Sequence, residues 1–464
     1  MHWSPRLWGA LILLCGVLFL DGLDVSMVGV ALPSIRSQLD MSTTSLQWVV
    51  SGYVLGYGGF LLLGGRTADL LGRRRVLLIA LGVFAVASLL GGLVDDSTLL
   101  IAARFVKGVA AAFTAPAGLS IITTTFQEGR ARNRALSIYT ACGASGFSSG
   151  LILGGLMTEV GWRWTFLLPV PIALVVLAFG IRLIPHGGTS TEGGRGYDLL
   201  GAVISTAALL LLVYTVVSAP TVGWAAPRTL VSFVVAAALL AAFVVTESRV
   251  PHPLLRLGIL RNRSVVAANL AAIAVFGSYV GFQFIGTMYL QSLLGWSPLT
   301  MALAFLPAGL IVAFGGPRTG ALVNRFGAAR VVIAGLVSFS VGYALFLRIS
   351  LVADYPVLIL PSMILIGLGF ALAFPAMNIQ ATTGVADHEQ GLASGLVQTA
   401  FQVGGAITLA VVTAVISAGA HVSSPARVLA GYHPALLLVT GVALAGVFAT
   451  VALGGLRRSV VQSN

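Results

Sequence analysis

Apolar residues run along this chain in stretches of about twenty, separated by short polar segments. Fourteen stretches have the length a helix needs to cross a bilayer: 7–33, 46–65, 76–95, 98–124, 134–158, 163–184, 198–219, 229–247, 265–292, 298–317, 329–349, 356–382, 391–418 and 433–456. The Gly and Pro inside them do not argue against helices, since both are frequent in membrane spans. The pattern predicts an all-α integral membrane protein whose short loops leave no room for a large domain outside the membrane. The first stretch is not followed by a small-residue cleavage site, so it reads as a retained span and not as a signal peptide.

Basic residues orient these spans. With the N-terminus on the cytoplasmic side, that side collects Arg6, Arg66, Arg73, Arg74, Arg75, Arg130, Arg132, Arg134, Arg182, Arg195 and the arginines of 249–263, 318–330 and 457–458. The opposite side holds Arg36, Arg163, Arg228, Arg348 and Arg427. Such an excess marks the cytoplasmic face, and it implies an even number of spans with both termini inside. The segment 383–390 dissents, because it should be cytoplasmic and has no Lys or Arg.

The polar loops also carry a repeat. GRTADLLGRRR, Gly65 to Arg75, returns as GALVNRFGAAR, Gly320 to Arg330, with Gly65, Asp69, Gly72 and Arg75 matching Gly320, Asn324, Gly327 and Arg330. The first copy follows span 2 and the second follows span 10. Two six-helix halves would place the second copy after span 8, so two extra helices stand between the halves. The expected division is a six-helix bundle over 1–185, a linker with two added helices over 186–250, and a second six-helix bundle over 251–464. Parallel six-helix repeats are a transporter architecture.

Charges inside the apolar stretches need a reason, since each costs roughly 2.5–3.5 kcal/mol at the bilayer centre. Asp21 and Asp24 lie three apart in span 1 and share a helix face; Arg104 and Lys107 have the same spacing in span 4. The cost is met if these helices face one another, with the acids set against the bases. Two readings stay open: a neutralising cluster that only holds helices together, or a proton-coupling site. Burial favours the neutral form of a carboxylate and a nearby cation favours the charged form, so a site that changes its surroundings can load and release a proton.

With these residues in view, the chain resembles the 14-helix drug:proton antiporter branch of the major facilitator superfamily. Gly65, Ala68, Asp69, Gly72, Arg73 and Arg74 fit the loop motif GxLADxxGRR, with Thr67 where Leu is usual. LDVSMVGVALP, Leu23 to Pro33, is similar to LDxTIVNVALP, with Ser26 for Thr and Gly29 for Asn. Arg104 and Gly108 match RxxQG, with Lys107 at the neutral position. Gly150, Leu151, Gly154 and Gly155 resemble the antiporter motif ending GPxxGG without its Pro. WRWTFLLPVPI, Trp162 to Ile172, has Pro169 where Asn is usual, and Gly391 to Gly405 resembles the family's span 13. The resemblance implies coupling through Asp24 with Arg104; Asp21, which lies outside the motif, is the second candidate, and Lys107 joins them through its place beside Arg104 in span 4. It implies a conformational latch at Gly65, Asp69, Gly72, Arg73 and Arg74, weaker in the copy with Asn324. Gly146, Gly150, Gly154 and Gly155 are expected to form a helix-packing face on which the halves slide.

A substrate cavity needs apolar walls with a few polar groups. The polar residues within spans are Tyr53, Gln283, Tyr289, Gln291, Asn378, Gln398 and Gln402, each as fit to bridge helices as to touch substrate. No acid lies inside a span of the second half, so a neutral or weakly charged lipophilic substrate is at least as suitable as a cation.

Composition narrows the classes. The chain has 464 residues, 58% hydrophobic and 9% charged, with formal net charge +12. The positive charge belongs to loops facing anionic lipid, not to nucleic-acid binding. Lys107 is the only Lys and is followed by Gly108 inside a span, so no P-loop is present and energy must come from a gradient or a partner. The six His have no metal-ligand spacing, the Gly187 to Gly196 segment is a connector, and Cys15 and Cys142 are expected as buried thiols. Neither a metal, a cofactor nor an enzymatic constellation is expected. The reading is a proton-coupled multidrug exporter in the plasma membrane, in Arg-rich usage suggesting a bacterium. Its partners are a lipophilic small molecule, protons and lipid. A facilitator or importer of a metabolite on the same fold is the alternative, and a non-transporting membrane protein is a third.

Overall fold

The computed structural model describes residues 3–127, 130–184, 199–250, 257–385, 390–418 and 424–454. Their long helices are α1 (Pro5–Gln38), α2 (Thr43–Leu71), α3 (Arg73–Leu93), α4 (Ser97–Thr125), α5 (Arg130–Val160), α6 (Trp164–Leu183) and α7 (Leu199–Val222). They continue as α8 (Pro227–Arg249), α9 (Arg263–Leu293), α10 (Pro298–Phe326), α11 (Ala328–Phe346), α12 (Tyr355–Thr382), α13 (Gln390–Ala418) and α14 (Pro425–Gly454). There is no strand among the described residues. Twelve of these helices are long and apolar enough to cross a membrane. The others, α2 and α5, have 29 and 31 residues, so the set does not conflict with the fourteen crossings expected.

Local chemistry starts the helices where the polar segments predict. Ser4, Ser42, Asp96, Ser297 and Asp354 each accept a hydrogen bond from a backbone N–H of the following turn, which satisfies a donor the helix leaves open. The repeated loop has one backbone device in both copies. Gly72 (φ 91°) separates α2 from α3, and Gly327 (φ 85°) separates α10 from α11. An L side chain rarely adopts that φ, so glycine is required at both.

The packing has three regions. In α1–α6, Leu11, Leu14, Leu77, Phe84, Ala117 and Ile122 belong to one buried cluster. In α9–α14 an aromatic set fills the interior, with Phe276 stacked on Phe401 at 3.9 Å and Phe282 on Tyr343 at 5.0 Å. Between them α7 lies along the seam of α2 and α13. Its Val213, Val216 and Val217 pack with Val54 and Leu55 of α2 and Ala406 and Ala410 of α13. α8 is mostly exposed apolar surface, as at Val231 and Val234, the surface a lipid-facing helix presents. Cys15 and Cys142 are free thiols, the first buried and the second half-buried. The connector 187–196 lies outside the described residues, as does half of the dissenting loop, 386–389.

The first and second sets of helices meet mainly at one end. Taking α1 to start at the near end, the contacts gather at the far end. Thr413 of α13 donates to Gln47 Oε1 of α2. Gln291 Nε2 of α9 donates to Val30 O of α1 at 2.9 Å, and Leu299 N of α10 donates to Glu159 Oε1 of α5 at 3.3 Å. Nearer the middle, Ser148 of α5 donates to Gly309 O of α10 at 2.9 Å.

Candidate functional site

The charges of spans 1 and 4 come together. Asp24 of α1 accepts from Arg104 Nη1 of α4 at 2.5 Å on one oxygen and from Lys107 Nζ on the other. All three side chains are at most 2% exposed. Arg104 Nε donates to Val49 O of α2 at 2.9 Å, and its guanidinium lies 4.6 Å from the Tyr53 ring centroid. Lys107 Nζ donates to Ser88 Oγ of α3 at 2.7 Å and sits near the rings of Phe84 and Phe166. Four helices therefore hold one carboxylate between two cations. Glycine makes the approach possible: Gly108, one residue beyond Lys107, has the Tyr53 backbone where a Cβ would stand.

A buried ion pair is a poor source of net stability, because desolvation offsets the attraction, yet removing one partner costs about 3–5 kcal/mol. The cluster is therefore sensitive to any event that changes the charge of Asp24. Asp21 is also buried, at 7% exposure, and accepts from the Thr114 hydroxyl of α4, 3.5 Å away. Among the described residues it forms no ion pair. The two acids share a face as the spacing implies, and only Asp24 meets cations.

Beside this cluster lies a cavity of about 50 Å³ between α1, α2 and α4 on one side and α9 and α13 on the other. Val28, Leu32, Phe276 and Leu409 line it with Tyr53, Arg104, Gln283 and Gln402. Three polar atoms of the lining residues have no hydrogen-bond partner among the described residues: Tyr53 OH, Gln283 Nε2 and Gln402 Oε1. Tyr53, Gln283 and Gln402, all named from the sequence, are thus at the cavity. The remaining named residues are elsewhere. Tyr289 OH donates to Ser350 O at 2.7 Å, Gln291 closes onto α1, Asn378 Nδ2 donates to Phe374 O of its own helix at 2.7 Å, and Gln398 is half-buried off the cavity wall.

The loop motif stands at the near end. Gly65 lies against Pro116 of α4, Gly72 makes the turn, and Arg74 donates to Ile181 O of α6. Arg73 is half-buried at the start of α3. Asp69 is on the last turn of α2, with its side chain outside the described residues. The glycines of α5 divide between two neighbours. Gly146, Gly150 and Gly154 press on Phe19, Leu23 and Met27 of α1, while Gly155 presses on Leu299 and Ala302 of α10.

Sequence reasoning passed over Ser88, Thr114, the Val49 carbonyl, Gln47 and Thr413. Lone hydroxyls in apolar stretches carry no periodic signal, and a backbone carbonyl carries none at all.

Residues 14–409 match the family model described as Major Facilitator Superfamily. The puromycin resistance protein pur8 of Streptomyces alboniger is 38% identical over 463 residues, covering 95% of this chain and 90% of that protein. The cephamycin export protein CmcT of Amycolatopsis lactamdurans is 38% identical over 453 residues, covering 97% and 93%. Among solved structures, the nucleoside transporter NupG shares the fold with a TM-score of 0.65 at 13% identity, over 98% of this chain and all of NupG. The human organic anion transporter MFSD10 does so with a TM-score of 0.66 at 16% identity, over 97% and 100%.

Proposed function

The chain belongs to the major facilitator superfamily, and we propose that it is a proton-coupled antiporter that exports lipophilic small molecules by alternating access. The observation that carries this reading is the buried carboxylate of Asp24 held by Arg104 and Lys107 at the edge of a cavity between the two sets of helices. Relatives that are named for antibiotic resistance and export, at 38% identity over nearly the whole chain, favour export over import.

In this reading α1–α6 and α9–α14 are the two moving bundles, α7 and α8 are the added pair, and both termini face the cytoplasm of a plasma membrane. The charge on Asp24 decides whether α1 is tied to α4. Ionised, it binds both cations and holds α1, α2, α3 and α4 as one block. Protonated, it gives up the attraction, Arg104 is freed from α1, and the block can rearrange. A proton taken from outside and released inside then drives exchange with the drug. Asp21, hydrogen-bonded by the Thr114 hydroxyl, is the second acid on this route. The far-end contacts of Gln47, Gln291 and Glu159 close one gate. The loop at Gly65, Asp69, Gly72, Arg73 and Arg74 latches the near end in the opposite conformer.

The test is proton release from purified protein in detergent as lipophilic drugs are added, for the wild type and for Asp24→Asn. The expected outcome is drug-triggered release that the substitution abolishes. Equal release in both would move the proton site to Asp21, and no release with any drug would overturn antiport in favour of a facilitator.

A further inference from the structure

The cavity wall has a charge imbalance that export alone does not require. Asp24 has one negative charge and meets two cations. Lys107 is directed away from the cavity, onto Ser88 and the rings of Phe84 and Phe166. It supplies the counter-charge from behind. Arg104 is the partner that lines the cavity, and among the described residues Nε and Nη1 make its hydrogen bonds, which leaves the Nη2 donors unspent there. No acid lines this cavity: Asp24 is behind Arg104, and Asp21 sits against Thr114. α9–α14 contain no Asp or Glu at all.

The three unpartnered polar atoms add directionality. Gln283 Nε2 is a donor, Gln402 Oε1 an acceptor, and the Tyr53 hydroxyl either. A buried polar atom left without a partner costs free energy that a ligand recovers by pairing with it. The place of Gln283 depends on a departure from the family's first-helix motif. Where Asn is usual the chain has Gly29, and a Cβ there would stand 2.7 Å from Gln283 Nε2. Glycine at this position keeps the amide in the wall.

Resting on the export reading above, we infer that this cavity selects an anionic amphiphile over an organic cation. The ligand class is an apolar body with a carboxylate or similar anion and a neighbouring amide. Its anion meets the unspent edge of Arg104, its carbonyl meets Gln283, and its N–H meets Gln402. Drug-sized sites are typically about 300–1,000 Å³, so the 50 Å³ present here is the contracted form. It has room for the polar group and widens when the far-end contacts part.

The experiment uses the full-length protein in lipid nanodiscs, with radiolabelled benzylpenicillin as the anionic amide and ethidium as the cation, read by equilibrium dialysis. Benzylpenicillin is expected to bind saturably and ethidium not. Gln283→Leu and Gln402→Leu should each weaken benzylpenicillin about three- to tenfold, the worth of one hydrogen bond. Gln402→Glu should abolish benzylpenicillin binding and create ethidium binding, a gain that a misfolded protein cannot produce. Tighter binding of ethidium than of benzylpenicillin by the wild type, or unchanged binding by both Leu variants, would overturn the inference. Uptake into everted vesicles under a proton gradient separates the two proposals. Benzylpenicillin that binds as expected but does not accumulate would overturn antiport and leave the selectivity standing. Gradient-driven ethidium accumulation without benzylpenicillin binding would do the reverse.

Discussion

In α1–α6 three charged side chains, Asp24, Arg104 and Lys107, meet at most 2% exposed. In α9–α14 the interior is instead a run of rings, Phe276, Phe282, Phe339, Tyr343, Phe370 and Phe401, with no acid in any of these helices. Yet the two sets share the same glycine turn, at Gly72 and Gly327. The difference is one of response. Ring contacts are many and individually small, so a wall of them yields to displacement at modest cost. A charge cluster is paired or unpaired, with several kcal/mol between those states. On the proposed reading, one set of helices switches and the other accommodates.

Removing the acid is the strongest way to break this contrast. Asp24→Leu leaves Arg104 and Lys107 buried without their partner, and the expected loss is about 3–5 kcal/mol of stability together with all uphill transport. The triple change Asp24→Leu, Arg104→Leu and Lys107→Met should recover most of the stability, because an apolar replacement of a whole buried cluster is often neutral. Thermal unfolding in detergent measures the first effect and vesicle accumulation the second. A stable triple variant that still pumps would reduce the cluster to a packing device.

The shared turn gives the next effect. Gly72→Ala and Gly327→Ala each force an L side chain into φ near 90°, at a cost of about 1–3 kcal/mol. Similar losses by unfolding are expected for the two, since both turns have the same backbone form. Transport should fall more for Gly72→Ala, whose loop carries the full motif. Equal loss of transport would mean that both loops work the gates alike.

How much of this was legible in the chain differs by feature. The helices were, because about twenty apolar residues between polar breaks have few other uses. The glycine turns were, because the repeat set Gly72 against Gly327 and only a backbone requirement explains a glycine in both. Cost set both acids of span 1 against the bases of span 4, and the resemblance chose Asp24 with Arg104; the structure pairs Asp24 with both bases and leaves Asp21 beside Thr114. The seal was not legible. Gln47 and Thr413 lie 366 positions apart, and their pairing depends on how α2 and α13 cross. Nor was the fate of Tyr289, Gln291 and Asn378, because a sequence counts polar groups in a span without saying which way the helix turns them. Gly29 looked like a lapse in a motif; its meaning required Gln283 from another helix.

The smallest effect sharpens the contrast from the aromatic side. Phe401 stacks on Phe276 at 3.9 Å and touches Phe374 at 5.4 Å between ring centroids. Phe401→Leu keeps an apolar side chain and loses the ring contacts, so about 0.5–1.5 kcal/mol of stability should go. Drug-triggered proton release should keep its stoichiometry, because the ring contacts of Phe401 are with Phe276, Phe370 and Phe374. The decisive quantity is the coupling between Phe401→Leu and Asp24→Leu in a double-mutant cycle. Independent sites add within about 0.3–0.5 kcal/mol, and additivity is expected here for the protein without substrate. A larger coupling would mean that the rings sense the charge state even at rest, and the switch would then extend through both sets of helices.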